Sequence, residues 1–273
     1  MNRSSIKANN IPQAMITGTA AIVLTLILLF MRVEWAVLPL LVFVIICLFA
    51  PFFPSWGFFL PVISRGHTGR SVVSLTFDDG PDPLTTGPLL ALLKRHDVKA
   101  CFFVIGKKVE KYGQLVSAII EEGHEIGNHS YSHDTLLMLR SYRMLSSEIE
   151  STQNLLQQFC ISPLAFRPPM GITNPRLALA LRHHGMYSLM FSCRGGDFGN
   201  RHIKGLSQKI LKKVNRDHII LLHDTWPRGN ADVELWLHEI DRILLGLKDR
   251  GLKVIPLGEL VAKPIMIRMD NFG

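Results

Sequence analysis

Charged side chains are scarce in this chain. They make up 19% of the 273 residues, while hydrophobic residues make up 48% and are concentrated in residues 11–63. A soluble domain of average composition carries about 25% charged residues, so this balance favours membrane association of the N-terminal part. The remaining length leaves room for one catalytic domain of barrel or doubly wound size.

Cysteines and clusters of basic residues are also few. Cys47, Cys101, Cys160 and Cys193 have no short spacing, which argues against a disulfide framework and against a zinc ribbon. The formal net charge is +8, but the lysines and arginines are scattered and no basic tract is interleaved with aromatic residues. Nucleic acid is therefore not an expected partner, and the charge instead favours anionic lipid head groups or phosphate-bearing substrates.

Two apolar runs near the N-terminus are long enough to cross a bilayer. Residues 11–31 carry no charge, residues 32–34 form a short charged break, and residues 35–50 form a second run that an interfacial stretch follows. A cleavable signal peptide is the alternative, but it would have a shorter apolar core and a small-residue cleavage site. We predict a membrane anchor over residues 1–64, built as a transmembrane helical hairpin, and a catalytic domain over residues 65–273.

The charges around this hairpin predict its orientation. Arg3 and Lys7 precede it and Arg65 and Arg70 follow it, while its tip carries one arginine beside Glu34. A hairpin leaves both of its ends on the same side of the membrane, and the positive-inside rule favours the cytoplasm for that side. The expected location is the bacterial inner membrane, as a multi-pass protein with a cytoplasmic catalytic domain.

Strand-like runs alternate with helical stretches from about Arg70 onward. About seven such β/α units fit an α/β fold with a barrel of parallel strands wrapped by helices. An open doubly wound sheet is the alternative, because local pattern cannot show closure. The predicted strands are 71–77, 100–105, 125–127, 164–167, 187–192, 218–222 and 252–256, and the predicted helices are 84–96, 109–122, 141–159, 175–184, 206–214 and 231–249.

Polar and titratable side chains follow the ends of several predicted strands. Because the carboxyl ends of parallel strands lie at one edge of a sheet, these side chains are expected to share one face. They are Asp78, Asp79, Asn128, His129, His133, Arg167, Asp197, His223 and Asp224.

Each of these signals has a purely structural explanation when taken alone. Residues 78–81 could form a turn, Arg167 could be a solvated loop residue, and His223 could end a strand without further consequence. His129 and His133, spaced i and i+4, could be exposed on one face of a helical turn or could reach one metal ion from it. Their occurrence together and in this order favours a catalytic site.

The ordered set resembles the polysaccharide deacetylase family, also called carbohydrate esterase family 4. This family includes chitin deacetylases, peptidoglycan deacetylases and the rhizobial nodulation deacetylase. The resemblance covers residues 72–257, essentially the whole part of the chain that follows the anchor. Its motifs read here as Thr76-Phe77-Asp78-Asp79-Gly80-Pro81, Asn128-His129-Ser130-Tyr131-Ser132-His133, Arg167-Pro168-Pro169-Met170-Gly171, Gly196-Asp197-Phe198 and Leu221-Leu222-His223.

The resemblance implies a distorted (β/α)7–8 barrel and a metal-dependent hydrolase of a non-peptide carbon–nitrogen bond. Asp79, His129 and His133 would hold one divalent ion, zinc or else cobalt or another divalent metal, and leave positions open for water and the substrate carbonyl. Asp78 would be the general base that takes a proton from the attacking water, with Arg167 orienting it.

The resemblance also implies an acid and a sugar-binding groove. His223, held by Asp197, would protonate the departing amine, and a backbone N–H near Met170 would help to stabilise the oxyanion. Met170 and Phe198 stand where the family commonly has tyrosine and tryptophan, and with Leu221 they are expected to contact the sugar. The two departures affect the expected polymer specificity rather than the metal site or the reaction class.

We therefore expect an enzyme that removes an N-acetyl or other N-acyl group from an amino sugar in a glycan or a lipid-linked glycan precursor. The anchor would hold the active site near membrane lipid. The alternatives are a deformylase of a lipid-linked amino sugar, a peptidoglycan or exopolysaccharide deacetylase, and a glycan-binding pseudoenzyme. The last is disfavoured because the base, the metal ligands, the arginine and the acid are all present.

Overall fold

Alternating strands and helices follow an N-terminal helical pair. The computed structural model of the protein describes residues 11–31, 33–227 and 232–269. The helices are α1 (Gln13–Met31), α2 (Leu38–Phe49), α3 (Thr86–Arg95), α4 (Gly106–Lys111), α5 (Gly113–Glu121), α6 (Tyr142–Gln157), α7 (Pro175–His183), α8 (Leu206–Lys213), α9 (Val233–Asp249) and α10 (Leu257–Val261). The strands are β1 (Val62–Ile63), β2 (Val72–Gly80), β3 (Cys101–Val104), β4 (Glu125–Asn128), β5 (Ile161–Pro163), β6 (Ala165–Phe166), β7 (Tyr187–Leu189), β8 (Cys193–Arg194), β9 (Ile219–His223), β10 (Lys253–Val254) and β11 (Met266–Arg268).

Helices α1 and α2 pack against each other as a hairpin. A Cβ atom on Gly18 would lie 2.9 Å from the ring of Phe43, so the absence of a side chain at Gly18 lets the helices approach closely. Gln13–Met31 and Val33–Phe52 have mean hydropathies of 2.4 and 2.6 and are candidate membrane spans by length and composition, a test that a signal sequence also passes. Arg3, Lys7 and Arg32, which enter the orientation argument, lie outside the described residues.

The main sheet is parallel and curls into a half-barrel. Its strand order is β1-β7-β6-β4-β3-β2-β9-β8, with β10 beside β2, so β2 occupies the centre. Every ladder of this sheet is parallel, and only the small β5–β11 pair is antiparallel among the described strands. The predicted α/β class and barrel type are confirmed, and the carboxyl ends of the strands meet at one edge.

The alternation of side chains along β2 separates two layers. Val73, Leu75 and Phe77 lie in the largest hydrophobic cluster, which also contains residues from helices α3, α5, α8 and α9. Thr76 and Asp78 belong to the opposite face, which points into the half-barrel. The Thr76 hydroxyl donates to the Ile220 carbonyl at 2.9 Å, so this polar interior position is paired.

The structure adds short elements that the sequence pattern does not predict. Strands β1, β5, β8 and β11 have two or three residues each, too few for a period of two to be detected. The predicted helix at 109–122 is wrong as one element, since it is divided into α4 and α5 at Tyr112, whose φ of −127° and ψ of 44° are not helical. The predicted helix at 231–249 begins at Val233 in the structure. The Asp232 carboxylate caps this helix by accepting from the Leu235 N–H at 2.7 Å. Residue 231 lies outside the described ranges.

The segment after the hairpin is part of the catalytic domain's interior. Phe58, Phe59 and Leu60 are buried, and the Phe58 carbonyl accepts a hydrogen bond from the Ala14 N–H at 2.9 Å. These residues lie on the anchor side of the expected boundary at 64/65, as does β1, which pairs with β7. We call the cluster they join the base cluster; its buried members are Ala50, Phe58, Phe59, Leu60, Leu137, Met138, Leu145, Ile149, Phe166, Leu177, Ala180, Leu181 and Met186.

Loss of residues 58–60 is expected to destabilise the catalytic domain. Residues 65–273 should unfold roughly 10 °C or more below residues 56–273, because full burial of each large apolar side chain contributes about 1.5–3 kcal/mol. Differential scanning fluorimetry of the two soluble fragments gives the midpoints. Phe59→Ala in the longer fragment removes side-chain packing but keeps β1, so it separates these two contributions to stability. Equal unfolding midpoints for the two fragments would contradict the expectation.

Candidate active site

The predicted site residues meet at the carboxyl edge of the half-barrel. Strand β2 reaches this edge at Asp78 and Asp79, and Asp78 is the register partner of His223 at the end of β9. His129 directly follows β4, and Arg167 directly follows β6, which pairs with β4. Four strands of the sheet, β6, β4, β2 and β9, therefore place these five side chains at one edge.

A carboxylate and two imidazoles form a compact cluster at this edge. Asp79 Oδ1 lies 3.4 Å from His129 Nε2 and 3.2 Å from His133 Nε2. The three potential ligand atoms lie within 4.8 Å of one another. Asp79 Oδ1 is buried and has no hydrogen-bond partner among the described residues, so it is a polar atom that the protein alone leaves unsatisfied.

The two histidines are brought together by a loop, so the predicted helical turn is wrong. Ser130 and His133 both have positive φ, 67° and 54°, which no helical turn allows. The loop N–H groups are bound by side chains instead: Asn128 Oδ1 accepts from Ser130, and Glu148 on α6 accepts from the next two residues at 3.0 and 2.7 Å. The loop still places the two rings with centroids 4.9 Å apart.

The second nitrogen of His129 is fixed by a backbone group. His129 Nδ1 lies 2.7 Å from the Arg167 carbonyl oxygen, which can only accept, so Nδ1 carries a proton and Nε2 is the nitrogen that faces Asp79. Burial would raise the pKa of Asp79, but the neighbouring imidazoles, His129 first, hold it below its usual range. Burial and the charge of His129 lower the pKa of His133, which favours the neutral, ligating form.

This cluster fits a divalent metal ion. Two imidazole nitrogens and one carboxylate oxygen are the donor set of hydrolytic zinc sites that keep positions open. The hydrogen bond from His129 Nδ1 to the Arg167 carbonyl is the kind of outer contact that orients a ligating imidazole. The unsatisfied Asp79 Oδ1 faces both Nε2 atoms and would gain a partner from a cation.

Asp78 is held by a buried arginine. Arg167 Nη1 donates to Asp78 Oδ1 at 2.6 Å and to the Thr76 hydroxyl at 2.8 Å, and its guanidinium lies 3.9 Å from the centroid of the Phe103 ring. The remaining donors reach backbone carbonyls of Leu189 and residue 190 at 3.2 and 2.9 Å. Each guanidinium nitrogen therefore has an acceptor and Asp78 Oδ1 has a donor, as a buried ion pair requires.

His223 forms a second charged pair at the same edge. His223 Nδ1 lies 2.6 Å from Asp197 Oδ2, and Asp197 is buried. Burial lowers the pKa of His223, but the hydrogen bond and charge of Asp197, with smaller contributions from Asp79 and Asp78, raise it to about 9. His223 is therefore protonated at neutral pH.

Comparisons with known proteins agree with this site. The family model described as polysaccharide deacetylase matches residues 65–189. A peptidoglycan-N-acetylglucosamine deacetylase of Bacillus cereus is 31% identical over 194 residues, which are 70% of this chain and 89% of that protein. The chain belongs to the polysaccharide deacetylase family.

Other members of the polysaccharide deacetylase family are similarly close. A chitooligosaccharide deacetylase of Sinorhizobium fredii is 30% identical over 201 residues, covering 71% of this chain and 93% of that protein. A crystal structure of a peptidoglycan N-acetylglucosamine deacetylase in complex with 4-naphthalen-1-yl-N-oxidanyl-benzamide superposes with a TM-score of 0.67 at 30% identity, covering 75% and 94% of the two chains. The expected reaction class is confirmed: the chain is a carbohydrate N-deacetylase of a metal-dependent family.

The three residues predicted to contact the sugar have different surroundings in this deacetylase. Met170 and Phe198 are each 66% exposed and have positive φ, whereas Leu221 is only 7% exposed. A Cβ atom on Gly199 would lie 3.7 Å from Asp79 Oδ2, so the loop that carries Phe198 passes beside the metal-binding cluster. Leu221 lies two residues before His223 on β9 and shares its face of the sheet.

Two residues of the deacetylase site were missed by the sequence analysis. Asn200 is buried, and its side-chain NH₂ donates to the His223 and Thr225 carbonyls at 3.0 and 2.7 Å, which ties the Asp197 loop to the end of β9. Asp224 was noted as a strand-end residue but given no role. Its N–H donates to the Asp78 carbonyl at 2.7 Å, and its carboxylate accepts from two threonine hydroxyls at 2.6 Å each.

Asp224 also restricts the turn that follows the catalytic carboxylates. A Cβ atom on Gly80 would lie 2.5 Å from Asp224 Oδ2, so only glycine fits there. Burial raises the pKa of Asp224 to about 6, against hydrogen bonds from Thr85 and Thr86 that lower it. The adjacency of Asp224 to His223 was the only sequence signal for this role, and Asn200 gave none.

Proposed function

We propose that this protein hydrolyses the N-acyl group of an amino sugar with one zinc ion held by Asp79, His129 and His133. The observation that carries the proposal is the buried Asp79 Oδ1, which lies between two imidazole Nε2 atoms and lacks a hydrogen-bond partner among the described side chains. Zinc suits a set of two nitrogens and one carboxylate oxygen, and cobalt is the alternative. Bound there, the ion supplies Lewis-acid activation of water and of the acyl carbonyl.

Asp78 is the proposed general base. Its Oδ1 is occupied by Arg167, and its Oδ2 lies 3.8 Å from His129 Nε2, so the free oxygen faces the metal-binding cluster. From that position Asp78 takes one proton from the attacking water as the water oxygen bonds to the acyl carbonyl carbon. The fixed guanidinium holds Asp78 Oδ1 and prevents rotation of the carboxylate away from the cluster.

His223 is the proposed general acid. Cleavage of the carbon–nitrogen bond releases a carboxylate and an amine, and the amine nitrogen must gain a proton as it leaves. His223 carries that proton at neutral pH because Asp197 stabilises the imidazolium. A backbone N–H near Met170 stabilises the negative charge that develops on the carbonyl oxygen.

The proposed substrate is an N-acetylated amino sugar in a glycan or in a lipid-linked glycan precursor. The relatives' activities on peptidoglycan N-acetylglucosamine and on chitooligosaccharides support the sugar. We propose that Met170 and Phe198 contact the sugar, since both are exposed, Phe198 in the loop beside the metal-binding cluster and Met170 three residues after Arg167, and that Leu221 lines the floor beneath His223. A formyl group is the alternative acyl group, because the same residues would serve its hydrolysis.

The N-terminal helices support a multi-pass membrane protein with an anchor in residues 1–64 and a catalytic domain over residues 65–273, into which residues 58–60 also pack. Ala50 at the end of α2 is buried in the base cluster, which favours retention of the hairpin, since cleavage after α2 would uncover the cluster. Arg65 and Arg70 favour a cytoplasmic domain.

Paired reporters fused after Gly273 test this orientation. We expect a signal from the reporter that is active only in the cytoplasm. A signal from the external reporter alone would overturn the orientation and would favour a peptidoglycan or exopolysaccharide substrate.

A matched pair of variants tests the assigned base and ligands. Asp78→Asn should lower kcat by about 10²-fold or more, since an amide cannot accept the proton, while one metal ion per chain is retained. His129→Ala should instead lose the ion, because a ligand is removed. Acyl release and metal content by mass spectrometry are the measurements. Full activity of Asp78→Asn, or unchanged metal affinity of His129→Ala, would contradict the assignment.

The assignment of His223 as the general acid predicts that activity falls at alkaline pH. The raised pKa of His223 means that its protonated form predominates below about 9 and is lost as the pH rises through that value. Asp197→Asn removes the stabilising charge, so the alkaline limb of kcat/KM should move to lower pH. Asp232→Asn, a change at the N-terminal cap of α9, is the control and should leave the profile in place. A profile for Asp197→Asn that superposes on that of the parent would sink the assignment.

A further inference from the structure

An exposed apolar surface lies directly after the metal-binding loop. Leu136, Leu139, Tyr142 and Met144 are 53, 75, 38 and 51% exposed, respectively, and we call these four residues the apolar ledge. They belong to the turn Leu137–Leu139 and to the first turn of α6. Four large exposed apolar side chains within nine residues are unusual on a water-facing surface.

The apolar ledge is continuous with the base of the hairpin. Leu137, Met138 and Leu145 alternate with the ledge residues along the chain and are buried in the base cluster with Ala50 and Phe58. The same segment therefore packs against the hairpin on one side and exposes the ledge on the other. Through the base cluster the ledge segment is joined to Ala50 at the end of α2.

The hairpin base has the composition of a membrane interface. Phe52, Phe53 and Trp56 are exposed there, and aromatic side chains of this kind concentrate at the head-group level. Arg143 is exposed within the ledge segment, and Arg140 is half-exposed beside it while paired with Asp134 at 2.7 Å. Long cationic side chains next to apolar ones suit anionic lipid head groups.

The active site lies within a short distance of this surface. His133 precedes Leu136 by three residues, so their Cα atoms are at most about 11 Å apart. The distance between these two residues is shorter than in an extended chain, because the segment turns at Asp134. The Asp134 carboxylate accepts from the Leu136 N–H, and the Asp134 carbonyl accepts from the Leu137 N–H. A head-group layer is roughly 5–8 Å thick, a length comparable to this separation, so insertion of the ledge would bring the cluster close to a sugar at the bilayer surface.

We propose that the apolar ledge inserts into the interfacial layer of the bilayer and that the substrate is an N-acyl amino sugar carried on a membrane lipid. This inference rests on the proposed deacetylase function and assigns its substrate to a glycolipid. Insertion of the ledge sets the distance of the active site from the bilayer surface, and the exposed Arg143 binds anionic head groups beside it. A polymer distant from the membrane is the competing substrate.

A depth measurement on the full-length chain tests the surface. Leu139→Cys carries an environment-sensitive fluorophore after reconstitution into phosphatidylethanolamine–phosphatidylglycerol vesicles, and lipids with a nitroxide near the head group quench it. Leu245→Cys on α9 is the matched control, an exposed leucine away from the base cluster, and the labelled parent chain supplies the background of the native cysteines. We expect severalfold stronger quenching at residue 139 than at residue 245, and equal quenching would overturn the surface assignment.

An activity measurement tests the substrate class. The probes are N-acetylglucosamine linked by diphosphate to a polyprenyl lipid in the same vesicles, and soluble chitotetraose. Leu136→Glu/Leu139→Glu should lose roughly tenfold in turnover of the lipid-borne sugar, because two apolar contacts with lipid are replaced by charge, and should retain turnover of chitotetraose. Leu245→Glu/Ile267→Glu, a pair of exposed apolar residues elsewhere, should match the parent on both.

The outcomes separate this inference from the proposed function. A parent chain that deacetylates chitotetraose but not the lipid-borne sugar overturns the glycolipid assignment and leaves the deacetylase intact. Parent-like turnover of the lipid-borne sugar by the ledge variant overturns the role of the ledge. A parent chain without activity on either compound overturns the proposed function and the substrate assignment with it, while the depth measurement still decides the surface.

Discussion

The buried ion pair between Arg167 and Asp78 is the interaction on which the site depends. A guanidinium and a carboxylate at 4% exposure or less are stable in the interior because they pair with each other and because further hydrogen bonds satisfy the guanidinium. The Arg167 side chain donates to two groups on β2 and to two carbonyls at the end of β7, and the Arg167 backbone carbonyl accepts from His129. One residue therefore links the base, one metal ligand and the strands β2, β6 and β7, and loss of either partner of the ion pair would leave a buried charge at a cost of about 3–5 kcal/mol.

Strained backbone is concentrated at the same edge. A left-handed conformation costs about 1–3 kcal/mol for a residue with a side chain and persists only where the surroundings enforce it. Backbone N–H groups that donate to the side chains of Asn128 and Glu148, and the Asn200 amide that donates to a backbone carbonyl, enforce it here. The strain fixes the donor atoms before any ion binds. The non-glycine residues with positive φ at this edge are Asp79, Ser130, His133, Met170, Phe198 and Asn200.

Much of this arrangement could be predicted from the sequence, for physical reasons. Long strands such as β2 can be recognised from their composition and the pattern of their apolar residues. Because the carboxyl ends of parallel strands share one edge of the sheet, Asp78, Asp79 and His223 could be placed together. The His129 loop could not be distinguished from a helical turn, because both put i and i+4 side by side. Asn200 acts through backbone carbonyls that only the folded chain brings near. The burial of residues 58–60 was likewise unpredictable, because an apolar run looks the same in lipid and in a core.

The packing of residues 58–60 into the base cluster removes the flexible linker that usually separates a catalytic domain from its anchor. A tethered domain explores a volume whose radius grows with about the square root of linker length. Here β1 begins six residues after Trp56, and Phe58, Phe59 and Leu60 in between are buried. For the membrane-anchored chain proposed above, the search for substrate would be reduced from three dimensions to two, and lateral diffusion of the whole molecule would set its range.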